Sequence, residues 1–238
     1  MKETVETDAA TGLDTYGKRG LAVSFVGILL GVPALFIPAG RLDWANAWVF
    51  IGLPLVYQVF YTVFLAKVNP GMLNERGKFV KEGTKKFDKV YAAAYLPLAF
   101  TILIVAGLDA RYHWSSAPVW VSVVGVILVI PAFALGLWAM AVNPFFEVSV
   151  RIQDDRGQSV VASGPYSRIR HPGYSALVLS TLMYPLILGS WWAYVPAVFL
   201  ALVVVARTAL EDRTLRVELP GYCEYASDTR YRLVPLVW

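Results

Sequence analysis

The densest group of chemically capable side chains in this sequence lies between residues 164 and 174. Polar and aromatic residues crowd this stretch: Tyr166, Arg168, Arg170, His171 and Tyr174. Pro172-Gly173 immediately precedes an apolar run, which predicts a helix start. Because a helix start presents free N–H groups and a positive dipole end, we expect it to suit a carboxylate or a phosphate. The alternative is that Arg168 and Arg170 contact lipid headgroups and the tyrosines are interface anchors.

A second group follows the last apolar block, where Arg207 and Glu211 are one helical turn apart and share a face. An arginine and a glutamate held there could bind an acceptor and a cofactor side by side. The alternative is an ordinary i,i+4 pair that extends to the membrane interface. A basic and aromatic tail from Tyr222 to Pro235 is long enough to fold over the same edge.

The elements that must position these residues are strongly apolar. The 238-residue chain is 57% hydrophobic and 16% charged, with a mean hydropathy of +0.55, against roughly 45–50% and 25% in soluble domains. Its apolar blocks have about the length that crosses ~30 Å of hydrocarbon as a helix. None contains an ionisable Asp, Glu, Lys, Arg or His: 20–38, 45–66, 90–107, 119–142, 174–188 and 191–206. The pattern predicts an all-α fold, a polytopic integral membrane helical bundle of about six transmembrane helices.

These blocks divide the chain into three parts. Residues 1–19 are polar, carry four acidic side chains and predict a loose cytoplasmic N-terminal tail. Residues 20–142 hold transmembrane helices one to four, and residues 143–238 hold both chemically capable groups. Only Gly189 and Ser190 separate the last two blocks, which favours a helical hairpin, with one long helix over 174–206 as the alternative.

The positive charges predict the orientation. Of the 21 Lys and Arg residues, only Arg41 and Arg111 fall in loops opposite the termini. This bias places both termini in the cytoplasm, at the plasma membrane if the cell is bacterial. The net charge of +4 then lies next to anionic membrane lipid, and the sequence has no motif that predicts a nucleic-acid partner.

Composition excludes several chemistries. A single cysteine, Cys223, rules out an internal disulfide and a thiolate metal site, and two histidines rule out His-rich di-iron sites. No acidic cluster lies inside the apolar blocks, so we expect no metal. The same blocks lack the mid-membrane charges of ion pumps. We therefore expect any chemistry at the cytoplasmic edge.

Together these motifs resemble the isoprenylcysteine carboxyl methyltransferase family over roughly residues 143–235. The resemblance is carried by Gly164-Pro-Tyr166, Arg170-His-Pro-x-Tyr174, the Arg207/Glu211/Asp212 cluster and Tyr222-x-x-Tyr225. A further similarity, to bacterial members of the family, lies in the segment Asn69-Pro-Gly-Met-Leu-Asn-Glu75-Arg76-Gly. In that family a multi-helix membrane domain and a cytoplasmic C-terminal segment enclose S-adenosylmethionine, and the lipid acceptor enters from the bilayer. The resemblance thus implies a cytoplasmic C-terminal cofactor-binding segment here.

The resemblance also implies roles for matching residues. Arg207 would face the acceptor as the catalytic residue. Ala176 stands where the family often has glycine, and Gln158 where histidine is common; Asp212 replaces the second glutamate of the usual pair. Residues implied to bind S-adenosylmethionine are Arg151, Gln158, Ser159, Val160, Val161, Tyr166, His171, Pro172, Gly173, Tyr174 and Glu211.

The implied reaction is methyl transfer to a lipophilic small-molecule or lipidated acceptor, such as the carboxylate of a prenylcysteine-like molecule. Displacement at a sulfonium methyl needs little acid–base help when the acceptor is already an anion. Most of the rate can then come from orientation and exclusion of water. A neutral amine or thiol acceptor would need a base, for which His171 and Glu211 are the candidates.

Two other functions remain open from the sequence. A membrane reductase of the sterol-reductase type would bind NADPH in its C-terminal half. Its His-Pro-Asn-Tyr pattern followed by Gly-Glu is replaced here by His171-Pro-Gly-Tyr-Ser-Ala176, which favours the methyltransferase. A non-catalytic lipid-binding protein would need only the basic edge to attract anionic lipid.

Overall fold

The described part of this computed structural model, residues 12–78 and 81–238, folds into helices and loops without a strand. The predicted all-α polytopic bundle is confirmed. Glu3, Glu6 and Asp8 of the predicted tail lie outside the described residues. The helices are α1 (Thr15–Ala39), α2 (Ala45–Val68), α3 (Pro70–Arg76), α4 (Lys86–Tyr112), α5 (Val119–Val142), α6 (Pro172–Leu188), α7 (Tyr194–Glu218) and α8 (Tyr222–Asp228).

Five of the six predicted apolar blocks lie within a helix, and the sixth, 191–206, begins three residues before α7. By length and composition, α1, α2, α4, α5 and α7 can cross a membrane. Helix α6 is apolar and has 17 residues, which is at the lower limit of about 17–25 for a span. Gly189 ends α6 in the left-handed region, with φ of 72°. The last two blocks therefore form two helices and not one long helix.

Several helices extend further than their apolar blocks. Helix α1 begins at Thr15, earlier than the predicted end of the tail at residue 19, because the Asp14 side chain accepts a hydrogen bond of 2.7 Å from the Gly17 N–H. Helix α4 begins at Lys86, and α7 continues to Glu218, beyond the predicted end at residue 206. These polar extensions matter because they carry charged residues that meet at one end of the bundle.

Close helix packing holds this bundle together. Helix α5 packs along α6, and a Cβ added at Gly125 would come within 2.8 Å of the Ile187 backbone nitrogen. Any larger residue there would force the two helices apart. Toward the other end, Gly136 of α5 faces Ala176 of α6. Gly136 therefore leaves room for the Ala176 methyl group at this contact.

Three segments meet at the end of the bundle for which the charge bias predicts a cytoplasmic face. These are the long α5–α6 loop (residues 143–171), the start of α6, and the C-terminal tail (residues 229–238). The Arg170 N–H donates to the Tyr231 carbonyl at 2.9 Å, and the His171 N–H donates to the Arg232 carbonyl at 3.0 Å. As the sequence predicted, the tail folds over this edge and fixes the start of α6.

Candidate active site

A cavity of about 740 Å³ opens where these segments meet the bundle. Eleven of the twelve predicted site residues line it: Arg151, Gln158, Ser159, Val160, Val161, Tyr166, His171, Gly173, Tyr174, Arg207 and Glu211. Pro172 is the exception, because it is fully buried at the first position of α6 and does not line the cavity.

Two glycines shape the α5–α6 loop and the start of α6. Gly164 has a φ of 59°, in the left-handed region that a side chain disfavours. A Cβ added at Gly173 would come within 2.6 Å of the Phe146 ring. Gly173 therefore allows the α5–α6 loop to pack directly against the start of α6, which places Tyr174 at the cavity wall.

Tyr174 joins the two predicted residues of α7. Its hydroxyl donates a hydrogen bond to Glu211 Oε2 and accepts one from the Arg207 guanidinium. The guanidinium carbon also lies 5.0 Å from the centre of the Tyr174 ring and 4.3 Å from that of Tyr91. Within the described part of the chain, Glu211 Oε1 receives no hydrogen bond and is free to bind a ligand. Arg207 and Glu211 are thus more than an i,i+4 pair at the interface.

Asp88, on the polar first turn of α4, holds Arg207 from the other side. Its Oδ1 accepts a hydrogen bond of 2.6 Å from Arg207 Nε, and its Oδ2 accepts one of 2.9 Å from the Val150 N–H. Arg207 Nη2 donates to the Val148 carbonyl at 2.6 Å. Both partners are buried, Arg207 at 5% exposure and Asp88 at 4%. A buried ion pair of this kind fixes the guanidinium in one orientation.

Asp212 lies next to Glu211 in sequence, but it has a different environment. It is 1% exposed and does not line the cavity. Its carboxylate accepts hydrogen bonds from Arg170 Nε at 2.7 Å, from Arg232 Nε at 3.0 Å and from the Tyr222 hydroxyl at 3.0 Å. Asp212 therefore ties the start of α6 to α7 and to the C-terminal tail.

The same contacts separate the two arginines that the sequence grouped as possible lipid contacts. Arg170 is 4% exposed and paired with Asp212, whereas Arg168 is exposed. Burial, followed by the adjacent Asp212 charge, raises the pKa of Tyr222 well above its usual range, so its hydroxyl keeps its proton. Of these two arginines, only Arg168 is exposed and thus accessible to lipid headgroups.

The α5–α6 loop is held by its own charges. Arg151 donates to Asp155 at 2.6 Å and to Glu147 at 3.1 Å, and these hydrogen bonds raise its pKa. Gln158 Oε1 accepts a hydrogen bond of 2.8 Å from the Gln153 N–H. These contacts hold the loop in place. Residues 158–161 of the loop line the cavity.

Tyr166 and Tyr225 close the loop onto the helices. The Tyr225 hydroxyl donates to the Tyr166 carbonyl at 2.7 Å, and the Asn143 side chain donates to the Tyr166 hydroxyl at 3.1 Å. Burial raises the pKa of Tyr166 above its usual range and that of Tyr225 to about 12. Both rings therefore present neutral surfaces to the cavity.

Sequence reasoning missed several residues of this site. Asp88, Tyr91 and Tyr95 lie on α4, far from the motifs in the chain, and no pattern in the sequence connects them to Arg207. Arg76 also lines the cavity. It lies in the Asn69–Gly77 motif, but the resemblance implied no role for that motif. Among residues 12–78 and 81–238, no three His, Cys, Asp or Glu side chains are grouped to hold a metal ion.

Comparison with known proteins agrees with these motifs. Residues 123–217 match the model of the isoprenylcysteine carboxyl methyltransferase (ICMT) family. The match includes most of α5, the α5–α6 loop, α6 and nearly all of α7, and thus both chemically capable groups. No curated protein matches the chain. The resemblance predicted from the sequence motifs is thus confirmed over residues 123–217, which match the isoprenylcysteine carboxyl methyltransferase family model.

Proposed function

We propose that this protein transfers a methyl group from S-adenosylmethionine to a lipophilic acceptor at the cytoplasmic edge of the membrane. The acceptor is the carboxylate of a prenylcysteine-like or other small lipidic molecule. The observation that carries the proposal is the Tyr174 hydroxyl, which bridges Glu211 and Arg207 inside one cavity. A ligand-binding carboxylate and an oriented guanidinium are thereby held side by side.

The residues at the cavity wall fit S-adenosylmethionine. Glu211 offers a free carboxylate oxygen to the polar groups of the cofactor. The rings of Tyr91, Tyr95 and Tyr174 line the cavity and suit a cationic sulfonium. When bound, the cofactor supplies an electrophilic methyl group on positively charged sulfur. Residues 158–161 would contact the nucleoside, with Arg151, Tyr166, His171 and Gly173 around it.

The rest of the cavity fits an apolar acceptor. Its apolar wall comes from four helices, and its residues are Val23 of α1, Leu96 of α4, Gly136 and Met140 of α5, and Leu177 of α6. Such a wall favours a hydrocarbon chain and excludes water from the reacting groups. In this proposal residues 143–238 form the methyltransferase core and residues 20–142 complete the acceptor side.

Arg207 orients the acceptor for reaction. Asp88 and Tyr174 fix the guanidinium, so it loses little freedom when it donates its remaining N–H groups to the acceptor. An acceptor carboxylate oxygen forms a bond to the methyl carbon, and the electron pair of the broken carbon–sulfur bond returns to sulfur. No proton moves, so a carboxylate acceptor needs no general base. The products are a methyl ester and an uncharged thioether.

The proposed orientation places both termini in the cytoplasm, and the membrane is the plasma membrane if the cell is bacterial. Lys81, Lys85 and Arg168 lie at the same end of the bundle as the cavity. Positive residues at this end agree with a cytoplasmic face and would attract anionic membrane lipid.

Calorimetric titration of the purified protein in lipid nanodiscs tests this proposal. We expect S-adenosylmethionine and its demethylated product to bind and NADPH not to bind. Binding of NADPH alone would identify a reductase instead. If none of the three ligands bound, the protein would be a lipid-binding protein without this cofactor.

A further inference from the structure

Four arginines line the cavity, and three of them have a carboxylate partner. Arg151 pairs with Glu147 and Asp155, Arg170 with Asp212, and Arg207 with Asp88. The fourth is Arg76, at the end of α3. Within the part of the chain that the structure describes, the Arg76 side chain makes no ion pair and no hydrogen bond. Its guanidinium carbon lies 5.5 Å from the centre of the Phe146 ring.

Two carboxylates near Arg76, Glu75 beside it in the sequence and Glu147 in the cavity wall, are already bound to other cations. Glu75 accepts from Lys78 at 2.6 Å and from Lys81 at 3.0 Å. Glu147 pairs with Lys81 at 2.6 Å and with Arg151 at 3.1 Å. Arg76 therefore brings an unbalanced positive charge to a half-buried position in the cavity, which is costly unless an anion binds there.

We propose that Arg76 binds the anionic group of the acceptor. This inference rests on the proposed function and adds a residue outside the segment that matches the family. Arg207 cannot supply the attraction alone, because its charge is balanced by Asp88 and Glu211 lies beside it. Arg76 provides a second guanidinium, and paired N–H donors in a plane suit a carboxylate.

The position of Arg76 favours the acceptor over the cofactor as the source of this anion. Helix α3 packs against α1 and α2, and Met72 and Leu73 belong to the apolar cluster that includes Met140. The Phe146 ring contacts the Gly173 position with its edge atoms, while Arg76 lies over its face. Since Phe146 packs against the same apolar cluster, Arg76 holds its guanidinium beside residues that suit the lipid part of an acceptor.

Two variants and one control test the inference: Arg76→Gln, Arg76→Lys and Arg168→Gln, an exposed arginine that does not line the cavity. The probes are N-acetyl-S-farnesylcysteine and its carboxamide, which keeps the lipid but lacks the anion. Each probe, and the demethylated cofactor, is titrated calorimetrically into the protein in nanodiscs. The wild type should bind the carboxylate more tightly than the carboxamide.

Arg76→Gln should weaken carboxylate binding about 10- to 100-fold, as expected for a lost charged hydrogen bond, and should leave carboxamide and cofactor binding unchanged. Arg76→Lys should keep most of the preference, and Arg168→Gln all of it. Unchanged carboxylate affinity in Arg76→Gln, or weaker cofactor binding instead, would overturn the inference. So would equal wild-type affinity for the two probes, a result that needs no variant to fold. Failure of the wild type to bind the cofactor would refute the proposed function separately.

Discussion

The hydroxyl of Tyr174, in the first turn of α6, donates a hydrogen bond to Glu211, in the last third of α7. This contact joins the two chemically capable groups of the sequence, which are separated by a helical hairpin. It also fixes the distance between Glu211 and Arg207, because the same hydroxyl accepts from the guanidinium. The consequences of this arrangement can be tested residue by residue.

Glu211→Gln should weaken cofactor binding about tenfold or more, because the neutral amide loses a charged hydrogen bond to the cofactor. Tyr174→Phe should weaken it as well, since it releases Glu211 while keeping the ring. The affinity for the demethylated cofactor, measured calorimetrically, decides this. Glu224→Gln, an exposed glutamate on α8, is the control and should bind normally. Normal affinity in Glu211→Gln would show that this carboxylate does not contact the cofactor.

Arg207→Ala should leave cofactor affinity nearly intact and slow methyl transfer about 100-fold. In the proposed function Arg207 orients the acceptor and contributes little to holding the donor. Single-turnover measurement with labelled cofactor separates the chemical step from binding. A large loss of cofactor affinity with a normal rate at saturation would reverse the roles that we assign to Arg207 and Glu211.

Asp88→Asn should reduce kcat about tenfold with little change in cofactor affinity. Asparagine can still accept from the Val150 N–H, but it cannot balance the Arg207 charge, so the guanidinium loses its fixed orientation. Because Asp88 acts through Arg207, the double variant Asp88→Asn/Arg207→Ala should be no slower than Arg207→Ala alone. Additive losses would mean that Asp88 acts independently of Arg207. Asp154→Asn, on an exposed part of the loop, is the control.

Asp212→Asn should destabilise the protein by about 3–5 kcal/mol, because it leaves the buried Arg170 without its counter-charge. The effect should appear as a lower Tm of the ligand-free variant, measured against the ligand-free wild type. Asp228→Asn, an exposed aspartate on α8, should melt like the wild type. If Asp212→Asn kept the wild-type Tm, Asp212 would not be the residue that holds the C-terminal tail in place.

The sequence predicted those features that depend on local pattern. Apolar block length was enough to predict the helices, and i,i+4 spacing was enough to place Arg207 and Glu211 on one face. Helix ends were less predictable, since the Asp14 side chain and the polar first turn of α4 extend helices beyond their apolar blocks. The role of Asp88 could not be predicted, because it depends on how α4 packs against α7 and not on any motif.

Charge alone was also insufficient to distinguish neighbouring residues. Arg168 and Arg170 look equivalent in the sequence. In the structure Arg170 is buried in an ion pair with Asp212, whereas Arg168 is exposed. Glu211 and Asp212 look like a pair, but they point to different environments, one at the cavity and one in an ionic cluster. In each case only the three-dimensional arrangement shows which of the two residues is buried in the ionic cluster.

The central claim is that this cavity brings a sulfonium methyl donor and a lipid carboxylate together. Its most direct test is incubation of the wild-type protein in nanodiscs with methyl-labelled S-adenosylmethionine and N-acetyl-S-farnesylcysteine. We predict a labelled, base-labile methyl ester, formed by the wild type and strongly reduced in Arg207→Ala. A wild-type protein that binds both molecules but forms no labelled ester would contradict the account.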